Sequence, residues 1–177
     1  MDERERVKLF EQTVLPHLDA AYNLARWLAG NDHDAQDVAQ EASMRAFKFF
    51  GGFRGDNPRA WFLAIVRNTF YTWLRKNRPT VELIGINEEA MVIEDVSVNA
   101  DALNSRLGDA EAVRGAIESL PVEFREIVIL REMEGMSYKE ISDVADVPIG
   151  TVMSRLARAR KQLQETLARD FKPGEKR

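Results

Sequence analysis

The sequence contains no cysteine. That excludes disulfide bonds and thiolate metal sites, and it makes the reducing cytoplasm the expected location. Histidine is nearly as scarce, and His17 and His33 stand apart from any nucleophile–base pattern. No glycine-rich phosphate loop opens a helix either, so an enzyme is not expected, and no catalytic residue, cofactor or metal site is assigned. No apolar run reaches the length needed to span a bilayer, and the N-terminal stretch MDERERVKLF is too charged for a signal peptide, so no membrane insertion is expected. Internal repeats and low-complexity tracts are absent as well.

Apolar residues make up 45% of the 177 positions, enough to bury a core in one domain or two small ones. The net charge of −4 is unevenly spread. Residues 53–78 carry Arg54, Arg59, Arg67, Arg75, Lys76 and Arg78 against Asp56 alone. Residues 151–177 are again basic, with acids only at Glu165, Asp170 and Glu175. Between them, residues 79–110 are acidic and hold a single cation, Arg106. Because phosphate binding depends on local rather than net charge, two basic blocks around an acidic one predict two DNA-contacting surfaces and a linker.

Helical periodicity organises most of the chain. Val7, Phe10, Val14, Leu18, Ala21, Leu24, Ala25 and Leu28 form an apolar series over residues 3–29, with a kink or break expected at Pro16. After a stop at Gly30, Asp32 or a neighbour can cap a helix running to about Phe50, with Ala35, Val38, Ala39, Ala42, Ala46, Phe49 and Phe50 on its apolar face. Asp34, Asp37 and Glu41 share another face of that helix. Acids in a first turn can simply answer the helix dipole, paired carboxylates can serve metal or acid–base chemistry, and an acidic face bearing glutamine can dock a basic partner. A glycine- and proline-marked loop, Phe49 to Pro58, precedes a helix over Pro58 to Asn77 in which Trp61, Phe62, Phe70, Tyr71 and Trp73 alternate with cations. Aromatics at this spacing suit a core, assigned to Trp61, Phe62, Ile65 and Phe70, and aromatics mixed with cations also suit single-stranded DNA.

Residues 79–108 lack sustained periodicity and read as an acidic linker, with short helical turns expected near 87–93 and 100–107; a loop of this length argues for two domains. A short helix over 109–118 follows, then another from Leu120–Pro121 carrying Phe124, Ile127, Val128, Leu130 and Met133 and ending near Gly135. Ser137 and Glu140 then form a capping box, and Asp146-Val147-Pro148 ends the helix they start. In the last helix Val152, Leu156, Ala159 and Leu163 make a buried stripe, with Thr151, Ser154, Arg155, Arg158 and Lys161 off it. Two helices joined by a tight turn, the second with hydroxyls and arginines opposite its apolar seam, match a major-groove reader; a solvated basic helix ending a bundle has the same periodicity.

Two blocks of residues resemble the extracytoplasmic-function (ECF) group of bacterial RNA polymerase sigma factors, in the sigma-70 family. Tyr22 to Arg78, through DAQDVAQE, FRGDNPRAWFLAIVRN and WLRKNR, resembles sigma region 2, and Ala112 to Leu163, through SLPVEFREIVILREMEGMSYKEIS and VPIGTVMSRLARAR, resembles region 4. The resemblance implies an all-α chain of two small domains, region 2 over 1–78 and region 4 over 109–177, with the linker at 79–108. It implies that Asp34, Asp37, Gln40 and Glu41 dock on the clamp helices of the polymerase β′ subunit, and that region 4 meets the β flap. The loop with Phe53, Arg54 and Asn57 would capture a flipped base of the −10 promoter element, and Arg67, Asn68, Tyr71, Arg75 and Lys76 would hold the melted strand or adjoining duplex. Thr151, Ser154, Arg155 and Arg158 would read the −35 element. Control by an anti-sigma factor is implied too. The sequence departs from the family pattern at Asp146, where glycine is frequent, at Met153, where lysine is, and at Ser142, where alanine is. A two-domain DNA-binding regulator without a polymerase contact is the alternative, and it leaves the aromatic–basic helix and the acidic face unused.

Overall fold

The computed structural model of the chain describes residues 1–81, 83 and 110–170. The expected helical turns near 87–93 and 100–107 lie outside the described residues. All regular structure among the described residues is helical: α1 (Glu3–Thr13), α2 (Leu18–Ala29), α3 (Asp32–Phe49), α4 (Pro58–Asn77), α5 (Ala110–Glu118), α6 (Val122–Val128), α7 (Tyr138–Ala145) and α8 (Ile149–Asp170).

Local chemistry explains the boundaries. Pro16 sits in a single 3₁₀ turn, Leu15–His17, so the expected kink is a break between two helices. Gly30 ends α2 in the left-handed conformation at φ 85°, which costs glycine nothing. Asn31, not Asp32, caps α3: its side chain accepts a hydrogen bond from the Asp34 amide at 2.9 Å, while Asp32 pairs with Arg26 at 2.6 Å. Asn57 caps α4 by accepting from the Ala60 amide at 3.0 Å, with Pro58 at the first helical position.

In α3 the alanines and Val38 of the apolar stripe are buried, but Phe49 is 59% exposed, contrary to its expected place on that face. The chain tightens into the 3₁₀ turn Phe50–Gly52 just there, and it is Phe50 that turns inward, edge-on to Phe10 at 5.4 Å. Leu18 at the start of α2 is likewise half-exposed. Phe62 and Phe70 are core residues of α4, whereas Trp61 and Ile65 are only partly buried beside them.

In the C-terminal helices, α6 runs on into a π-helical stretch, Ile129–Met133, before Gly135 turns the chain at φ 63°. Met133 is exposed there, again against expectation. The capping box holds: the Glu140 amide donates to Ser137 Oγ at 3.1 Å and the Ser137 amide to Glu140 Oε1 at 3.3 Å. Val152, Leu156, Ala159 and Leu163 of α8 are buried as expected, and Leu167 extends the stripe. α7 packs on α4 and α6 on α2, so the buried residues of the N-terminal and C-terminal helices form one continuous apolar cluster.

Asp146 ends α7 at φ 54°, the one left-handed residue other than glycine among those described. A β-carbon is disfavoured in that region, so Asp146→Gly is expected to raise the unfolding free energy by about 1 kcal/mol. Urea denaturation reads this directly. An unchanged midpoint would mean that contacts of the Asp146 side chain offset the backbone cost.

Candidate nucleic-acid and protein interfaces

α3 presents Asp37, Gln40 and Glu41 to solvent, with Asp34 half-buried at its first turn. Asp34 accepts from Asn31 Nδ2 at 2.7 Å and lies 3.6 Å from Arg78. Glu41 pairs with Arg45 at 2.8 Å, and Asp37 lies 3.8 Å from His33. His33, Asp34 and Asp37 come within 4.8 Å of one another, a convergence that the sequence reading did not include. All three have partners within the protein and sit at the open end of the helix. Beside this face, α2 and α3 enclose an open cleft of about 1000 Å³, lined by Leu18, Tyr22, Gln36 and Gln40 and walled at one end by Glu134 from the C-terminal half.

The loop before α4 is ordered by its own contacts. The Phe53 ring stacks over Phe50 at 6.2 Å and leans on Trp61 at 4.9 Å. Arg54 donates to the carbonyls of Gly51 and Phe53 and remains exposed. Asn57 is engaged twice: its Oδ1 caps α4 and its Nδ2 donates to Glu140 Oε2 at 3.1 Å. That bond, with the Ser137 amide as the larger cause, keeps the Glu140 carboxyl below its ordinary pKa. Asn68, Arg75 and Lys76 are exposed on α4.

Arg67 and Tyr71 are not. Arg67 donates from Nε to Glu126 Oε2 at 2.9 Å and from Nη2 to Oε1 at 3.3 Å, and its guanidinium lies 4.5 Å from the centre of the Tyr71 ring. Glu126 is fully buried, and Tyr71 is 7% exposed with a hydroxyl that closes no hydrogen bond. Burial, reinforced by Glu126, raises the Tyr71 phenol far above its ordinary pKa. Burial also pushes Glu126 upward, opposed by Arg67. For Arg67 itself burial works against the charge, and the attraction of Glu126 more than offsets it.

Further links among the described residues join the two halves. Arg59 Nη1 donates to the Glu134 carbonyl at 2.9 Å, and Asn23 Nδ2 lies 3.4 Å from the Glu134 carboxylate. Arg125 Nη1 donates to the carbonyls of Trp27 and Leu28 at 3.0 and 3.3 Å. Sequence reading missed Glu126, Arg125 and Arg59 as contact residues. Its one available signal was Glu126, an acid inside the apolar run from Phe124 to Leu130.

On α8, Thr151, Ser154, Arg155 and Arg158 lie off the buried stripe and are half-exposed. Ser154 Oγ donates to the Thr151 carbonyl at 3.2 Å. The capping box, the left-handed Asp146 and the start of α8 at Ile149 together give a helix-turn-helix, whose second helix presents one buried and one polar face.

Family models match two stretches of the chain: sigma-70 region 2 over residues 13–80 and sigma-70 region 4 over residues 110–163. The ECF RNA polymerase sigma factor SigE of Mycolicibacterium smegmatis is 35% identical over 90% of this chain, which spans 62% of that protein. The RNA polymerase sigma-H factor of Pseudomonas aeruginosa is 33% identical, with 90% of this chain and 86% of that protein covered. Among solved structures, the sigma factor RpoE in complex with the anti-sigma factor NepR from Bartonella quintana has a TM-score of 0.68 at 29% identity, covering 93% of this chain and 99% of that one. The chain belongs to the sigma-70 family of RNA polymerase sigma factors, in its ECF group.

Proposed function

We propose that the chain acts as an ECF sigma factor: it joins core RNA polymerase, directs it to promoters and helps to melt the −10 region. Residues 1–78 form the polymerase- and −10-binding domain, residues 109–177 the −35-binding domain, and the acidic stretch 79–108 the linker between them. The observation that carries this reading is the order of the two matched regions, 13–80 before 110–163, in a chain whose second region ends in a helix-turn-helix with arginines opposite its buried stripe. α3 offers Asp34, Asp37, Gln40 and Glu41 to the β′ clamp helices, and the C-terminal helices meet the β flap. Phe53, Arg54, Asn57, Arg67, Asn68, Tyr71, Arg75 and Lys76 bind the −10 strand, where aromatic stacking and countercharge offset the cost of unpairing. Thr151, Ser154, Arg155 and Arg158 read −35 base edges in the major groove.

This role places the chain in the cytoplasm, and no described helix is long and apolar enough to cross a membrane. Control by an anti-sigma factor is supported by the Bartonella relative, whose solved structure is a complex with one. The test is gel filtration with sigma-free core polymerase, followed by transcription from a mixed promoter library. Co-elution with promoter-specific transcripts is expected. Asp37→Lys with Glu41→Lys is expected to weaken that association at least about tenfold, since placing like charges together at an interface costs several kcal/mol. Both residues are exposed, so helical content should not change. Unchanged co-elution of the double variant would remove α3 from the polymerase interface. Tight duplex binding by the chain alone, without co-elution, would instead identify a free-standing DNA-binding regulator.

A further inference from the structure

We propose that Met153 determines part of the −35 specificity by reading the 5-methyl group of a thymine in the major groove, a contact that rests on the sigma-factor reading above. Two exposed apolar side chains point to it. Ile149 and Met153 are each 43% exposed, whereas Val152 and Leu156 on the buried stripe are 0% and 2% exposed. Among the described residues of α8, large apolar side chains are exposed only at these two positions, both within its first two turns. Farther along the helix, exposure falls on polar residues such as Lys161 and Glu165. In a helix-turn-helix it is the N-terminal part of the second helix that meets base edges.

Ile149, Met153 and the half-exposed Ala157 follow one another at spacings of four, so they form a second apolar row beside the buried stripe. At about 100° per residue, Ser154 comes next round the axis, then Arg158 and Thr151, then Arg155. An apolar edge therefore adjoins hydroxyls and cations. That combination fits duplex DNA better than an apolar protein groove: the phosphates need countercharge, and most base edges need polar partners. Thymine is the base that also presents an apolar group, its methyl, in the major groove. Methionine carries no charge for a phosphate, and its unbranched, polarizable side chain adapts to a small apolar surface.

Gly150 is a second, independent sign. It lies on the same side of α8, between the apolar row and Ser154. A β-carbon there would meet no atom within 4 Å. Its backbone is not left-handed either; among the described residues the left-handed glycines are Gly30 and Gly135. Nothing within the fold thus calls for glycine, which favours a helix less than any residue but proline. The missing side chain instead lets a base edge approach the helix backbone beside Met153.

The experiment uses the full chain joined to core polymerase. Transcription from promoters randomised over the −35 region selects the preferred element. Each thymine in that element, on either strand, is then replaced singly by deoxyuridine, which lacks only the 5-methyl group. One replacement is expected to lower holoenzyme affinity about fourfold, the factor equivalent to about 0.8 kcal/mol for burying one methyl-sized group. Met153→Gln, similar in length but polar, should lower affinity for the thymine promoter by a similar factor and show no response to uracil at that position. Met153→Leu should keep the response. Both substitutions fall on an exposed position, so helical content should not change. A preferred element without thymine would overturn the proposal. So would a uracil response that persists in Met153→Gln, since another side chain would then read the methyl. A loss in Met153→Gln without any uracil response in the unaltered chain would overturn it too, by placing Met153 on sugar or phosphate. Equal affinities throughout would do the same and leave Ile149 and Met153 to a protein partner. Failure of the sigma-factor reading looks different: no variant, nor the unaltered chain, would give promoter-specific transcripts from any member of the library.

Discussion

Phe62→Ala is expected to lower the unfolding free energy by about 3–5 kcal/mol, the range for removing a large aromatic side chain from a packed interior. Phe62 is fully buried on α4, in the cluster that holds α2, α3 and α4 together. Its loss removes apolar burial and leaves a cavity that helices fixed at both ends cannot fully close. Urea denaturation checks the value. A comparison with Trp61→Ala isolates the cause, because Trp61 is only partly buried and leans on Phe53. The tryptophan variant should lose less stability but more affinity for single-stranded DNA. A loss below about 1 kcal/mol for Phe62→Ala would show that the surrounding helices collapse into the space.

Leu156→Ala is expected to cost about 2–5 kcal/mol by the same mechanism. Leu156 is 2% exposed at the middle of the buried stripe of α8, one residue from Arg155. Removing it loosens the seat of the proposed −35-reading helix without touching its polar face. Transcription that depends on a −35 element should therefore fall with stability, while association with polymerase through α3 persists. Thermal unfolding with paired transcription and co-elution assays separates the two effects. Retained promoter discrimination at reduced stability would show that α8 stays seated through its remaining apolar residues.

Both predictions rest on residues whose burial was legible from helical spacing. So were most element boundaries. Pro16, Gly30, Pro58 and the Ser137–Glu140 pair act on the backbone within one turn of themselves, and the helices start and stop beside them. The candidate surfaces were partly legible for the same reason: once the apolar stripe of α8 is known, Thr151, Ser154, Arg155 and Arg158 must lie elsewhere on that helix. At the edge of a stripe, spacing fails. Phe49 and Phe50 were both expected inside, and the tightened turn at the end of α3 admits only Phe50.

Amino-acid sequence alone thus determined the all-helical class, the helix-turn-helix, the uneven charge and the acidic face of α3, because each arises from residues within a few positions of one another. Tertiary structure decided what covers α4. Arg67 and Tyr71 read in sequence as a cation and an aromatic on a strand-binding helix, yet Tyr71 is buried and Arg67 is half-buried and paired with Glu126, 59 positions away. No local rule links those residues. A long-range ion pair forms only where folding brings two faces together and water is excluded from both, and that depends on the packing of whole helices rather than on any run of sequence.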